Sequence, residues 1–144
     1  METFSKVVTI DRPAREVFAF VADFENLPRW NYAITETRQS SPGPVGVGTT
    51  YVQQRQLPRP SEERFTVTEF APDRRVVVEG TLGPFPARLR YEFAPSDGGT
   101  VLTNVVDLHM RGALRLVGGI AASRIRTAVA ENLHVLKQLL EGPA

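Results

Sequence analysis

Residues 7–30 read VVTIDRPAREVFAFVADFENLPRW. Counting from just upstream, Phe4, Lys6, Val8 and Ile10 alternate with Ser5, Val7 and Thr9 in a run rich in β-branched residues, which predicts a strand. Asp11 is placed to cap a helix, and Pro13 falls in its first turn, where a missing N–H costs nothing. Ala14, Val17, Val21 and Phe24 then recur at helical spacing, and Asp23 is placed to cap a second short helix through Trp30. One strand followed at once by two short helices sets the pattern. The rest of the chain reads as a meander of strands and one long helix, so the expected class is α+β, a barrel-like antiparallel sheet wrapped around a helix.

Beyond Ala33 the punctuation recurs at hairpin spacing. SSPGPVGVG (40–48), LPRPS (57–61), APDR (71–74), GTLGPFP (80–86) and APSDGG (94–99) separate runs of strand formers. With the first strand this gives seven strands, antiparallel because the loops between neighbours are short. A four-residue turn at 71–74 puts Val67 opposite Val78 and Glu69 opposite Val76, with Phe65, Val67, Val76 and Val78 on the inner face. The same arithmetic around 96–99 pairs Phe93 with Leu102, Tyr91 with Asn104 and Leu89 with Val106, leaving Arg88, Arg90 and Glu92 outward. Across 57–61, an even register sets Tyr51, Gln53 and Arg55 beside Val67, Phe65 and Glu63.

Residues 111–141 read as the final helix, about 45 Å long at ~1.5 Å per residue. Gly118, Ala122, Ile125, Val129, Leu133, Leu136 and Leu140 form its apolar stripe. The C-terminal half of that stripe is bulky and the N-terminal half is glycine and alanine. Small side chains facing a curved sheet leave volume unfilled, so a cavity is expected beneath residues 118–125. On that expectation, Ala122→Phe fills the hollow, displaces a ligand and raises thermal stability. Gly118 and Gly119 each weaken the helix by roughly 1 kcal/mol relative to alanine.

The chain has 144 residues, enough for one domain over 1–144 with a single core. With 17 basic and 16 acidic residues it carries a net charge of +1, so no global field draws nucleic acid or anionic lipid. It contains no cysteine, which excludes disulfides and thiolate chemistry and fits a reducing compartment. Lys6, Asp11 and Arg12 interrupt any apolar leader, and no segment approaches the ~20 apolar residues of a membrane span. The cytoplasm is the expected location.

Three stretches carry a resemblance to a known family: TIDRPAREVFAFVADFENLPRW at 9–30, GPVGVGTTY at 43–51 and VTEFAPDRRVVVEG at 67–80, completed by NLHVLKQLLE at the end of the last helix. The chain resembles the START/Bet v 1-like (SRPBCC) superfamily, in particular its bacterial polyketide cyclase/dehydrase-like branch. The resemblance covers essentially the whole chain and implies a helix-grip fold, the sheet curled around the final helix and enclosing a cavity for a lipid-like or polycyclic ligand. Members include carriers, receptors, aromatase/cyclases and oxygenase domains, so the fold does not settle the function.

Candidate chemistry is sparse. Only His109 and His134 exist, with no cysteine beside them, so neither a metal nor any other cofactor is expected. Glu131 and His134 have helical carboxylate–imidazole spacing but no second copy, and read as solvated groups. GPVGVG lacks the Lys-Ser/Thr of a phosphate loop and reads as a turn. Arg55, Glu63 and Glu69 are the weak catalytic candidates, because the expected register puts them inward near the strand ends, where a carboxylate is desolvated. The bland alternative is an Arg55–Glu63 pair at the sheet rim. The expected pocket lining is Trp30, Tyr51, Phe65, Val67, Val78, Leu89, Tyr91, Asn104, Ala122 and Ile125. A third reading uses Arg111, Arg115, Arg124 and Arg126 around an apolar patch to touch a membrane surface or a partner. The favoured expectation is binding of a small hydrophobic ligand, with cyclase/dehydrase-like catalysis as the alternative. Expected partners are that ligand, no nucleic acid and no stable membrane insertion, with a homodimer open.

Overall fold

The computed structural model describes residues 1–112 and 114–142, and for 114–118 the backbone alone. The alternation that starts the chain forms β1 (Glu2–Ile10), with Phe4 and Ile10 buried and Thr3, Ser5, Val7 and Thr9 exposed. α1 (Ala14–Ala22) comes next, and Pro13 is its N-cap: the Pro13 carbonyl accepts from the Glu16 and Val17 N–H groups at 3.0 and 3.1 Å. Asp11 therefore does not cap it. A proline with extended ψ already aims its carbonyl into the first turn, and the Asp11 N–H instead donates to Glu141 Oε2 at 2.7 Å. A 3₁₀ helix (Phe24–Arg29) succeeds α1, with Asp23 at its N-cap position and its side chain uninvolved.

The remaining strands are β2 (Ile34–Gln39), β3 (Thr50–Arg55), β4 (Ser61–Ala71), β5 (Arg75–Leu82), β6 (Phe85–Ser96) and β7 (Gly99–Leu108). They form one seven-stranded antiparallel sheet in the order β1-β7-β6-β5-β4-β3-β2. The β6–β7 register is as the turn arithmetic has it: Phe93 faces Leu102, Tyr91 faces Asn104 and Leu89 faces Val106. The Asp97-Gly98 turn adopts positive φ at both residues (48° and 80°), which matches the twist of the flanking strands.

Two registers differ from expectation. The β3–β4 loop is centred one residue earlier than expected, over 56–60 rather than 57–61, so Tyr51 faces Phe65, Gln53 faces Glu63 and Arg55 faces Ser61. The error is two residues, which leaves every side chain on its expected face. β4 and β5 behave differently. Val67 does face Val78, but a bulge at Thr68 then puts Glu69 opposite Val77 and Phe70 opposite Val76. One extra residue reverses inside and outside. Phe70 turns in to pack on Phe18 at 5.4 Å, and Glu69 turns out to meet Arg75 and Arg88 at 3.3 and 2.8 Å.

Gly80 has a packing reason. A Cβ there would lie 2.4 Å from the Arg64 carbonyl oxygen and 2.7 Å from Phe65 Cβ, so only glycine lets β4 and β5 approach as they do.

α2 (Leu114–Glu141) starts at Leu114, after Gly112 in positive φ (58°), rather than at Arg111. Its backbone runs close to β1. At its end, Lys137 Nζ donates to the Thr9 carbonyl at 2.5 Å and to Glu141 Oε2 at 2.7 Å, tying the helix to the strand. Ala122, Val129, Leu133 and Leu136 are buried on its inner face. The Arg115 side chain lies outside what is described, and Gly118 falls within the helical backbone of α2. The core also holds a cluster of aromatic rings: Phe24 meets Tyr51 and Phe65 edge-on at 5.5 Å each, and Tyr51 stacks on Phe65 at 4.9 Å.

Candidate functional site

α2 runs beside β1 while the sheet curls away beneath it, and a cavity of about 180 Å³ lies between them. Its ceiling is Ile125, Ala128, Val129 and Asn132, which share one face of α2 at helical spacing. Its floor is Phe65 on β4, Val78 on β5 and Leu89 and Tyr91 on β6. Phe24, Leu27 and Trp30 close the side formed by the 3₁₀ helix. These residues alternate with outward ones along each strand, which is how a one-sided sheet gathers an apolar wall.

Seven of the ten expected lining residues are in the wall: Trp30, Phe65, Val78, Leu89, Tyr91, Asn104 and Ile125. Tyr51, Val67 and Ala122 are buried in the core without lining the cavity. The hollow sits about one turn further along α2 than the expected 118–125, because Ala122 is in close contact with the core and is 2% exposed. Phe24, Leu27, Gln53, Ala128, Val129 and Asn132 also line it. The last three were legible as positions i+3, i+4 and i+7 from Ile125.

The polar end of the cavity belongs to β3 and β4. Gln53 and Arg55 line it, and Glu63 stands behind them at 4% exposure. Glu63 Oε1 accepts from Gln53 Nε2 at 2.8 Å, and Oε2 accepts from Arg55 Nε and from the Gly83 N–H, each at 2.8 Å. Arg55 Nη1 donates to the Leu57 carbonyl at 3.4 Å, and Thr37 donates to Gln53 Oε1 at 3.4 Å. The carboxylate is thus desolvated but paired with a cation and hydrogen-bonded at both oxygens, the condition under which a buried charge is tolerated. Arg55 and Glu63 are brought together as a buried pair rather than an exposed rim pair. Glu69, by contrast, lies on the outer face with its side chain 42% exposed.

A second polar group comes from Tyr91 and Asn104, which face each other across β6 and β7. Asn104 Nδ2 donates to the Arg90 carbonyl at 3.1 Å. Burial raises the Tyr91 phenol well above its ordinary value, so the hydroxyl keeps its proton. Burial, then the negative charges of Asp23 and Glu25, push the Tyr51 phenol up to about 12. Trp30 meets Tyr91 edge-on at 6.4 Å, and its indole N–H is buried with no acceptor among the described residues.

Glu131 and His134 are exposed. Among the described residues no group of three or more His, Asp or Glu side chains could hold a metal ion. Among the same residues no helix is long and apolar enough to cross a membrane.

A curled antiparallel sheet, two short helices and a long helix over an apolar hollow define the helix-grip class, the SRPBCC/Bet v 1-like fold. Residues 1–141 match the family described as polyketide cyclase/dehydrase and lipid transport, and the chain belongs to that family. Solved structures agree on the fold. A START superfamily protein from Mycobacterium smegmatis superposes with a TM-score of 0.77 at 18% identity, over 96% of this chain and 98% of that one. The di-domain ARO/CYC StfQ of the steffimycin biosynthetic pathway gives 0.79 at 13% identity, over 96% of this chain and 50% of that one. TTHA0849 from Thermus thermophilus gives 0.73 at 16% identity, over 97% and 94%. No curated protein matches the chain.

Proposed function

We propose that this chain binds one small hydrophobic molecule in the cavity between the sheet and α2. The observation that carries the reading is the cavity itself, about 180 Å³ walled by Phe24, Leu27, Trp30, Phe65, Leu89 and Ile125. Interiors are close-packed, and a hollow of this size forfeits contacts along its whole lining. A few polar groups converge on an otherwise apolar wall, the usual composition of a ligand site. The family's description, cyclase/dehydrase and lipid transport, supports the same reading.

Catalysis of the cyclase/dehydrase kind is the second reading, and Arg55 in the wall favours it. Glu63 weighs against it, because it stands behind the lining, out of reach of a molecule in the cavity, with three donors already held on its two oxygens. A proton acceptor needs a free lone pair within reach of the reacting atom. Binding is therefore the reading adopted.

The chain has one tryptophan, Trp30, and it lines the cavity, so its emission reports occupancy. The test is a panel of apolar small molecules screened by thermal shift and Trp30 fluorescence, with native mass spectrometry of the purified protein for a retained ligand. A ligand at a hundred times its Kd raises stability by about 2.7 kcal/mol. If no member of the panel moves either the midpoint or the emission, and nothing is retained, the reading fails.

A further inference from the structure

The size and polarity of the cavity restrict what it takes, and this inference rests on the binding reading above. An apolar protein cavity of about 150 Å³ holds benzene. At about 180 Å³ the present one is only slightly larger, room for one substituted ring or a compact pair of fused rings. A long acyl chain or a polycyclic skeleton would extend beyond these walls, which do not close all round, and would be only partly covered.

Charge narrows the choice further. Among the described lining residues Arg55 is the one cation, and Glu63 already neutralises it from behind the wall. A ligand carboxylate would be stripped of water and set beside Glu63 with no second cation to receive it, an arrangement that costs rather than gains. A neutral acceptor meets no such cost. Arg55 donates through Nε to Glu63 and through Nη1 to Leu57, and its Nη2 has no partner among the described residues. Arg55, Pro58 and Gly83 also border a second hollow of about 250 Å³, whose further lining brings in Arg59, Glu62 and Glu63, so the guanidinium stands where the charged groups begin.

We propose that the site selects a compact, uncharged molecule of one or two rings, whose carbonyl-type oxygen accepts a hydrogen bond from Arg55. It discriminates against fatty acids and against skeletons of three rings or more.

Four probes, with 2-ethylnaphthalene as a control, test this on the full chain: 2-acetylnaphthalene, its carboxylate analogue 2-naphthoate, anthraquinone and palmitate, titrated by Trp30 fluorescence and calorimetry. 2-Acetylnaphthalene binds at least about tenfold more tightly than each of the others, the worth of one well-made hydrogen bond or more. Arg55→Leu alone strands Glu63, so the paired variant Arg55→Leu/Glu63→Leu is used. In it 2-acetylnaphthalene loses its advantage over 2-ethylnaphthalene, which has no acceptor. Equal or tighter binding of palmitate, anthraquinone or 2-naphthoate overturns the selectivity and leaves the binding reading standing. Silence from all four also overturns the selectivity, whereas the binding reading falls only with silence from the whole panel of apolar molecules. An unchanged preference for the ketone in the paired variant removes Arg55 from recognition.

Discussion

Glu63 and Arg55 are the residues whose removal discriminates most sharply between kinds of stabilisation. Their side chains are 3% and 11% exposed and 2.8 Å apart. Deleting one partner leaves the other charge buried and alone, which costs about 3–5 kcal/mol, while replacing both with apolar side chains is near neutral or better. Guanidinium unfolding of Glu63→Leu, Arg55→Leu and the double variant therefore has a stated outcome: two large losses and a recovery when they are combined. Additive losses in the double variant would mean that the pair acts as two independent rim residues. The tyrosines give a second outcome. A phenol whose folded pKa exceeds its unfolded value of about 10 holds its proton more tightly in the folded state. Its contribution is complete below pH ~10 and is lost as pH climbs through the folded value, about 12 for Tyr51, with Tyr91 raised in the same sense. Denaturant midpoints measured from pH 8 upward fall in that window, and Tyr51→Phe/Tyr91→Phe flattens the fall. At this scale the sequence was only partly legible. Glu63 and Glu69 look alike in the alternation, and one bulge residue, Thr68, sends Glu69 to solvent. Nothing in a run of Phe, Thr, Val, Thr, Glu and Phe marks where a strand will bulge, because the bulge is fixed by fitting a three-residue turn to the neighbouring strand.

Element by element, the chain was easier to read. Turn residues delimit strands through local backbone preferences, and the stripe on α2 comes from helical geometry alone. The β3–β4 register missed by two residues and cost nothing, since faces repeat every second position. The depth at which α2 meets the sheet was not legible. Small residues on the stripe pointed to a hollow under residues 118–125, yet Ala122 is packed into the core, and the cavity lies under Ile125 to Asn132. Small side chains can mark a close approach as readily as a gap. The expectation for Ala122→Phe accordingly changes sign. Forcing a ring into close-packed surroundings costs about 1–3 kcal/mol, and here it lowers the thermal midpoint without excluding a ligand from the cavity. A variant as stable as the parent that no longer binds would put the hollow back beneath Ala122.

Over the whole molecule, the sheet, the 3₁₀ helix and α2 each supply one wall of a space that none could enclose alone, and that gives the space a bulk signature. Unfolding under pressure is driven by the loss of internal void, with a volume change of about −20 to −100 mL/mol for globular proteins. A cavity of about 180 Å³ contributes to that change only while it is empty. Ligand bound anywhere on the folded state raises the pressure midpoint by mass action. Ligand inside the cavity does something more: it removes void from the folded state, so the volume change itself becomes smaller. The two effects separate in one experiment, because the midpoint and the slope of the unfolding curve are independent. Trp30 provides the signal, being the chain's single tryptophan and part of the cavity wall. With 2-acetylnaphthalene bound, the midpoint is expected to rise and the slope to become shallower. A raised midpoint with an unchanged slope would place the ligand on the surface, whatever its affinity, and would detach the hollow from any part in recognition.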